Sequence, residues 1–350
     1  QGRFKIRIPL TSANIDEVIE KRLLDKNDIG KEKLKLIYKQ EEHNLKTLLR
    51  FSGKGKHADN HYKSDLDFAN KYPFIPYQFD LFQQCLISLS THNVFQGRSQ
   101  SVGERSMLGV FQEVLKGQPD AAELVSFDSM FEGIRGTLRT EAQNAIIQAE
   151  NLLKEDKLAI RILKLLFLLK YNSDDIQTTT DNISIFLLDS YSRNINSHRE
   201  DVENALFKLE QQTYIQRKGE IFEYLTNEEK DIEEEIKSTK IDTSELTSLL
   251  NTLIFDGIIG DNRIHLNEYN RSFQYSRIVN GVLQAKQQEL EIEFVTQDYT
   301  EYANLSYFTS QTSGSTKMRI QFPEDRRLTS ELRIYLQTDK FYRQKSSEAA

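Results

Sequence analysis

The stretch Ser197–Leu225, SHREDVENALFKLEQQTYIQRKGEIFEYL, decides how the middle of this chain is read. Ser197 followed by Glu200 has the spacing of a capping box. Val202, Ala205, Leu206 and Leu209 then recur at the period of one helix face. Thr213–Arg217 and Ile221–Leu225 are short β-like runs, and Lys218-Gly219 between them suits a two-residue hairpin turn. Upstream, Ile134–Leu153 has helical spacing and Leu158–Tyr171 is nearly all apolar, as for a helix buried on most sides. Asp181–Tyr191 reads as a further short helix. Three helices followed by a hairpin is the order of a winged helix.

Toward the N-terminus, Phe4, Ile6 and Ile8 alternate with Lys5 and Arg7, the period of a half-buried strand that Pro9 ends. Ser12 or Asn14 can cap a helix with Ile15, Val18, Ile19 and Leu23 on its apolar face. Residues 31–50 continue with helical spacing. Ser52–Lys63 reads as a loop. Pro73 and Pro76 bracket Phe74-Ile75 before a helix over Tyr77–Leu89, and another helix runs from Ser101 to Leu115, stopped by Gly117-Gln118-Pro119.

Toward the C-terminus, six acids fall within the eight residues Glu228 to Glu235, the signature of a solvated helix or linker. Leu246–Phe255 reads as helix. Leu290–Val295, Met318–Phe322 and Leu332–Leu336 alternate like strands around a polar stretch, Tyr299–Thr316. This looks like the start of an α/β region that the chain end cuts short.

Composition narrows the function. The chain has 350 residues, 38% hydrophobic and 28% charged, with one cysteine, which rules out an internal disulfide framework and suits the cytoplasm. No run is apolar for long enough to span a membrane. Residues 1–100 carry 17 Lys+Arg against 12 Asp+Glu, whereas the remaining 250 carry 29 against 41, which together give the net −7. A chain that binds DNA over its whole surface would be basic throughout; here protein contacts are the first expectation, and any DNA contact must be local.

No catalytic site can be assembled from the sequence. None of the 15 glycines meets the phosphate-loop spacing, and Gly53-Lys54-Gly55-Lys56 only looks like one. The histidines His43, His57, His61, His92, His198 and His265 are scattered, so no metal site is expected. Cys85 lies on an apolar helix face and reads as a buried thiol. Four cations remain as candidates. Arg105 follows the capping-box pair Ser101 and Glu104 in the first turn of a helix, where the helix dipole opposes a cation unless Glu104 offsets it or an anion docks there. Arg3 precedes the first strand. Arg217 and Lys218, at the tip of the proposed wing, could touch a nucleic-acid backbone. Glu200, Asp201, Glu203 and Glu210 on the preceding helix argue against groove entry.

The N-terminal third resembles a known family. Gln1-Gly2-Arg3-Phe4-Lys5-Ile6-Arg7-Ile8-Pro9-Leu10, Ser12–Ile19 and Lys21-Arg22-Leu23-Leu24 are similar to the large P-loop ATPases of bacterial BREX phage defence, the BrxC and PglY family. Tyr72–Phe79, Gly103–Leu108 and Phe111-Gln112 resemble further blocks of that family, so that the likeness covers roughly residues 1–115. It implies a fragment of an AAA+ protein that begins after the phosphate loop. Residues 1–10 would hold the last core strand, 11–118 the helical lid, 119–240 a helical connector and winged helix, and 241–350 a truncated α/β region. The fold expected is mainly α with α+β parts. Arg105 then matches the sensor-2 position and Arg3 that of an arginine finger. ATP and Mg are expected for the full-length protein and none for this chain alone. Other BREX components, and a second copy of the chain, are the expected partners. Two other readings share the element order: a winged-helix DNA-binding or regulatory protein without ATPase activity, and a STAND-type signalling ATPase.

Overall fold

A computed structural model of the chain describes residues 12–53, 61–96, 104–117, 123–172 and 176–348, without the side chains of 12–14, 104–106, 326 and 348. The strand expected at Phe4–Ile8, the Arg3 site and Ser101 lie outside the described residues. Two compact units divide the chain, Gln1–Lys230 and Asp231–Ala350.

The first unit is helical around one apolar cluster that includes residues from Ile15 to Tyr224. Helix α1 (Ser12–Arg22) buries Ile15 and Ile19. Helix α2 (Asp28–Leu48) starts at Asn27, whose side chain accepts from Gly30 N, and buries Leu34, Tyr38, Leu45 and Leu48. After α3 (Asp65–Lys71), Phe74 and Ile75 are both fully buried. Gln78, at the start of α4 (Tyr77–Thr91), holds that corner: its Oε1 accepts from Ile75 N at 3.1 Å and its Nε2 donates to Val125 O at 2.6 Å. Cys85 is buried on this helix, as its neighbours required.

Helix α5 (Glu104–Gly117) buries Met107, Val110, Phe111 and Val114. It lies so close to α6 (Met130–Arg135) that a Cβ on Gly133 would meet Val110 Cγ1 at 2.4 Å. The single helix expected over Ile134–Leu153 is broken in two. Gln96 N donates to Thr137 O and Arg139 N to Val94 O, both at 2.9 Å, so residues 137–139 pair sideways with 94–96 before α7 (Thr140–Leu152) begins. A hydrogen-bond ladder thus overrides helical spacing.

Helix α8 (Lys157–Leu169), capped by Asp156, buries eight side chains and is the centre of the unit. Helix α9 (Thr180–Phe186) stops earlier than its sequence pattern suggested. Helix α10 (Ile195–Gln211) starts not at Ser197 but at Asn194, whose Oδ1 accepts from Asn196 N at 3.0 Å and Ser197 N at 3.3 Å; Ser197 is already inside the helix. The antiparallel hairpin of β1 (Ile215–Lys218) and β2 (Ile221–Tyr224) pairs Lys218 with Ile221. Its turn is therefore Gly219-Glu220, one residue later than expected, with Gly219 at φ 64°, where a side chain would be strained.

The acidic run forms α11 (Asn227–Ser238), within which the boundary between the units falls. In the second unit, α12 (Thr243–Asn251) opens with the reciprocal Asp242/Glu245 capping box and runs on as a π-helical stretch, Thr252–Ile259. The sheet contains β3 (Arg263–Leu266), β4 (Arg271–Val279), β5 (Val282–Leu283), β6 (Leu290–Val295) and β7 (Lys317–Gln321). β4, β6 and β7 are parallel neighbours, while β3 and β5 pair antiparallel with different parts of β4. Helix α13 (Leu305–Thr312) connects β6 to β7, inside the stretch that had looked merely polar.

Leu332–Leu336 is not a strand but part of α14 (Arg326–Glu348). Leu332 and Leu336, four apart and so on one helix face, both pack against the core of Leu246, Leu250, Phe255, Ile292 and Phe294. On the other side of the sheet the register sets Glu293 opposite Arg319. Arg319 Nε and one terminal nitrogen reach the same Glu293 oxygen, Oε2, at 2.7 and 2.6 Å, and the guanidinium lies 4.6 Å over the Phe308 ring of α13.

Candidate functional site

The geometry of α10 is set from α8. Arg161 Nε and Nη2 donate to the two Asp128 oxygens at 3.1 and 3.3 Å, Nη1 donates to Asp189 at 3.1 Å, and Nη2 also reaches Leu187 O at 2.8 Å. Asp189 holds Arg193 at 3.0 Å, and an Arg193 guanidinium nitrogen lies 3.2 Å from His198 Nδ1 on α10. His198 Nε2 is 3.2 Å from Ser184 O. Burial, then the Arg193 and Arg161 charges, push the His198 pKa down. A neutral ring that accepts at Nδ1 from Arg193 and donates at Nε2 to Ser184 O satisfies both partners. The chain of contacts Asp128–Arg161–Asp189–Arg193–His198 thus ties three elements together, and nothing in the sequence had singled it out. Its one visible signal is Arg161, a guanidinium inside an almost wholly apolar helix.

Beside it opens a cavity of about 320 Å³, lined by Glu113, Ser126, Asp128, Arg161 and Lys164 among others. Lys164 is held by Glu132 at 2.6 Å and Glu150 at 2.8 Å, so both cations of the cavity are already paired.

Arg217 and Lys218 stand at one end of the hairpin, and each is engaged on the hairpin itself. Arg217 Nε donates to Gly219 O at 2.7 Å, its terminal nitrogen reaches Glu220 at 3.2 Å, and its guanidinium lies 5.7 Å over the Phe222 ring. Lys218 Nζ donates to Glu223 at 2.8 Å. On α10, Glu200, Glu203 and Phe207 recur at helical spacing on the exposed side, with Phe207 61% exposed. A groove-reading helix needs cations to replace the phosphate counterions; this surface carries an exposed aromatic ring and carboxylates, and the hairpin cations Arg217 and Lys218 are paired.

Arg105 lies in the first turn of α5, its side chain outside the described part. The helix that carries it is firmly seated: Phe111 packs against Phe74 at 4.6 Å and Phe79 at 5.0 Å between ring centroids. A nucleotide with its magnesium needs carboxylate or hydroxyl ligands and a cradle of amides. Among the described residues there is no group of three or more His, Cys, Asp or Glu side chains that could hold a metal. No helix among the described residues is long and apolar enough to cross a membrane.

Mostly helical first unit and mixed sheet second, the chain is of the α with α+β class. Residues 239–350, which hold α12, the sheet, α13 and α14, match the family described as "BREX ATP-binding protein BrxC 4th domain with six-stranded beta sheet". The described residues of this region form five strands. The match supports a BrxC-like BREX protein, and with it a component of phage defence. No solved structure matches the chain.

Proposed function

We propose that this chain is the coupling portion of a BrxC-like BREX ATPase, non-catalytic by itself, and that it works through protein contacts in the cytoplasm. In the intact protein, ATP binding would drive assembly or remodelling of a defence complex on DNA. The region 11–118 takes the place of the AAA+ lid, with Arg105 at the sensor-2 position. Arg3 takes the arginine-finger place, and ATP and Mg come to the intact protein. The order α8, α9, α10, β1, β2 supports a winged helix within residues 119–240. The observation that carries the protein-contact reading is the outward face of α10, where Phe207 stands exposed one turn beyond Glu203 and two beyond Glu200, while Arg217 and Lys218 are paired on the hairpin. Exposed aromatic anchors are characteristic of protein interfaces.

Phe207→Glu in the intact parent is expected to lower phage restriction about tenfold or more, in the range of a lost interface anchor, with no change in duplex affinity. Restriction at the wild-type level would overturn the reading. So would salt-sensitive duplex binding by the chain that Arg217→Glu abolishes, which would favour a DNA-reading wing. Arg105→Ala in the parent is expected to impair ATP hydrolysis or restriction, and wild-type behaviour in both removes the sensor-2 role. Turnover of ATP by the 350-residue chain alone would contradict its non-catalytic nature.

A further inference from the structure

A second cavity, of about 270 Å³, opens within the first unit where the end of α4, the start of α7, the end of α8 and the start of α11 come together. Its walls are aromatic. Phe167, Tyr171 and Tyr224 line it, and His92 lies flat on Tyr171 with 3.7 Å between ring centroids and 5° between planes. Its charged lining is Arg139, Glu141, Lys170 and Glu228. Lys170 is already spent: its ammonium donates to Glu229 at 2.7 Å and to Tyr224 O at 2.6 Å. Arg139 Nε donates to Phe95 O at 3.4 Å. Glu141 and Glu228 have no ion-pair partner among the described residues.

What could fill such a space is limited by its chemistry. Burial, then the Glu229 and Glu228 carboxylates, raise the Tyr171 hydroxyl pKa, and burial with the same two carboxylates raises that of Tyr224. A phosphate would be drawn by Arg139 alone and opposed by both Glu141 and Glu228. A neutral ring could stack, but would strip water from two carboxylates and return nothing. An ammonium is compact and strongly hydrated, and suits a flat wall poorly. A guanidinium is flat, weakly hydrated, stacks on aromatic faces and donates in a fork that matches a carboxylate.

We propose that this cavity binds the arginine side chain of a partner protein, its plane against the aromatic wall built on the stacked His92–Tyr171 pair and its N–H groups on Glu228 and Glu141. The proposal deepens the protein-contact reading above by giving that contact a second surface, away from Phe207, and a chemical preference.

The test titrates argininamide, a single arginine side chain without a competing carboxylate, into the 350-residue chain and follows amide chemical shifts by NMR. Saturable shifts are expected at Glu141, Tyr171, Tyr224 and Glu228. Citrullinamide, of the same shape without the charge, is expected to bind about tenfold more weakly. Glu228→Gln and Tyr171→Leu are each expected to weaken argininamide about fivefold or more, and Asp201→Asn, an exposed acid elsewhere, to leave it unchanged. Glu228 is itself exposed, so its substitution leaves the fold intact. Equal binding of argininamide and citrullinamide, wild-type affinity in Glu228→Gln, or no saturable shift each overturn the proposal. None of these bears on the Phe207 experiment, so the two readings fail separately.

Discussion

Arg161 and Arg319 are both held by carboxylates, and the two arrangements differ in kind. Arg161, in the helical unit, distributes its donors over Asp128, Asp189 and a backbone carbonyl, with a quarter of its side chain still in contact with solvent. Arg319, in the sheet unit, places two donors on one oxygen of Glu293, with 7% and 1% of the two side chains exposed. Glu293 Oε1 and one terminal nitrogen of Arg319 are buried without a hydrogen-bond partner. A guanidinium that can divide its bonds and keep some water is cheaply satisfied. One locked into a strand register, opposite a single carboxylate and under an aromatic ring, carries a desolvation cost that its one partner only partly offsets.

The comparison predicts opposite outcomes for repair. Arg319→Ala should lower the unfolding free energy of the second unit by about 3 kcal/mol, because it leaves buried Glu293 with Lys317, at 3.6 Å and shared with Glu291, as its remaining charged partner. Arg319→Met with Glu293→Leu should be neutral or stabilising. Chemical denaturation reads both, and a double variant as unstable as the single would sharpen the pair into a net stabiliser. Arg161→Ala should cost about 2 kcal/mol, since Asp128 and Asp189 lose charged hydrogen bonds but can recruit water. Replacing both carboxylates together with Arg161 should not recover the loss, because Leu187 O is then also left without its donor.

A pH-dependent effect tests charge burial without a guanidinium. Asp16 on α1 has its pKa raised from the usual 3.8 to about 7, by burial first and then by the Asp80 carboxylate, with Lys71 opposing. The folded state therefore holds this proton more tightly than the unfolded one. Stability from this group is fully present below about pH 4 and lost as the pH rises through 7. Asp16→Asn should flatten that slope and stabilise the chain at pH 8, read as a melting temperature that no longer falls between pH 5 and 8. A slope unchanged by the substitution would assign the titration to another group.

Much of the first unit was legible because its helices have to bury a face: Leu158–Tyr171 announces α8 by its apolar residues alone. Where a segment met a competing partner, the pattern failed. Residues 137–139 carry helical spacing, yet pair with 94–96 instead. Asn194 takes the cap that Ser197 and Glu200 advertised, because its oxygen reaches two amides. Leu332 and Leu336 fit a strand and a helix equally well until the core they meet is known. Strands β3, β4 and β5 were not legible in the sequence, for a related reason in β3 and the first half of β4: all side chains from Arg263 to Gln274 are exposed, so no burial period is written into them. At the site, the positions of Arg217 and Lys218 could be read but not their neutralisation, since Glu220 and Glu223 become partners only once the turn is fixed at Gly219-Glu220. The Arg161 network joins residues from 128 to 198 and has no local signature.

Gly133 turns the seating of α5 into a lever. A methyl group there would press on Val110, at 2.9 Å from its backbone Cα as well as on its side chain, so the helix itself would have to tilt. Arg105 lies five positions nearer the N-terminal end of that helix than the point of pressure. A displacement too small to disturb the core would be magnified there, which makes Gly133→Ala a way to shift the start of α5 without touching it.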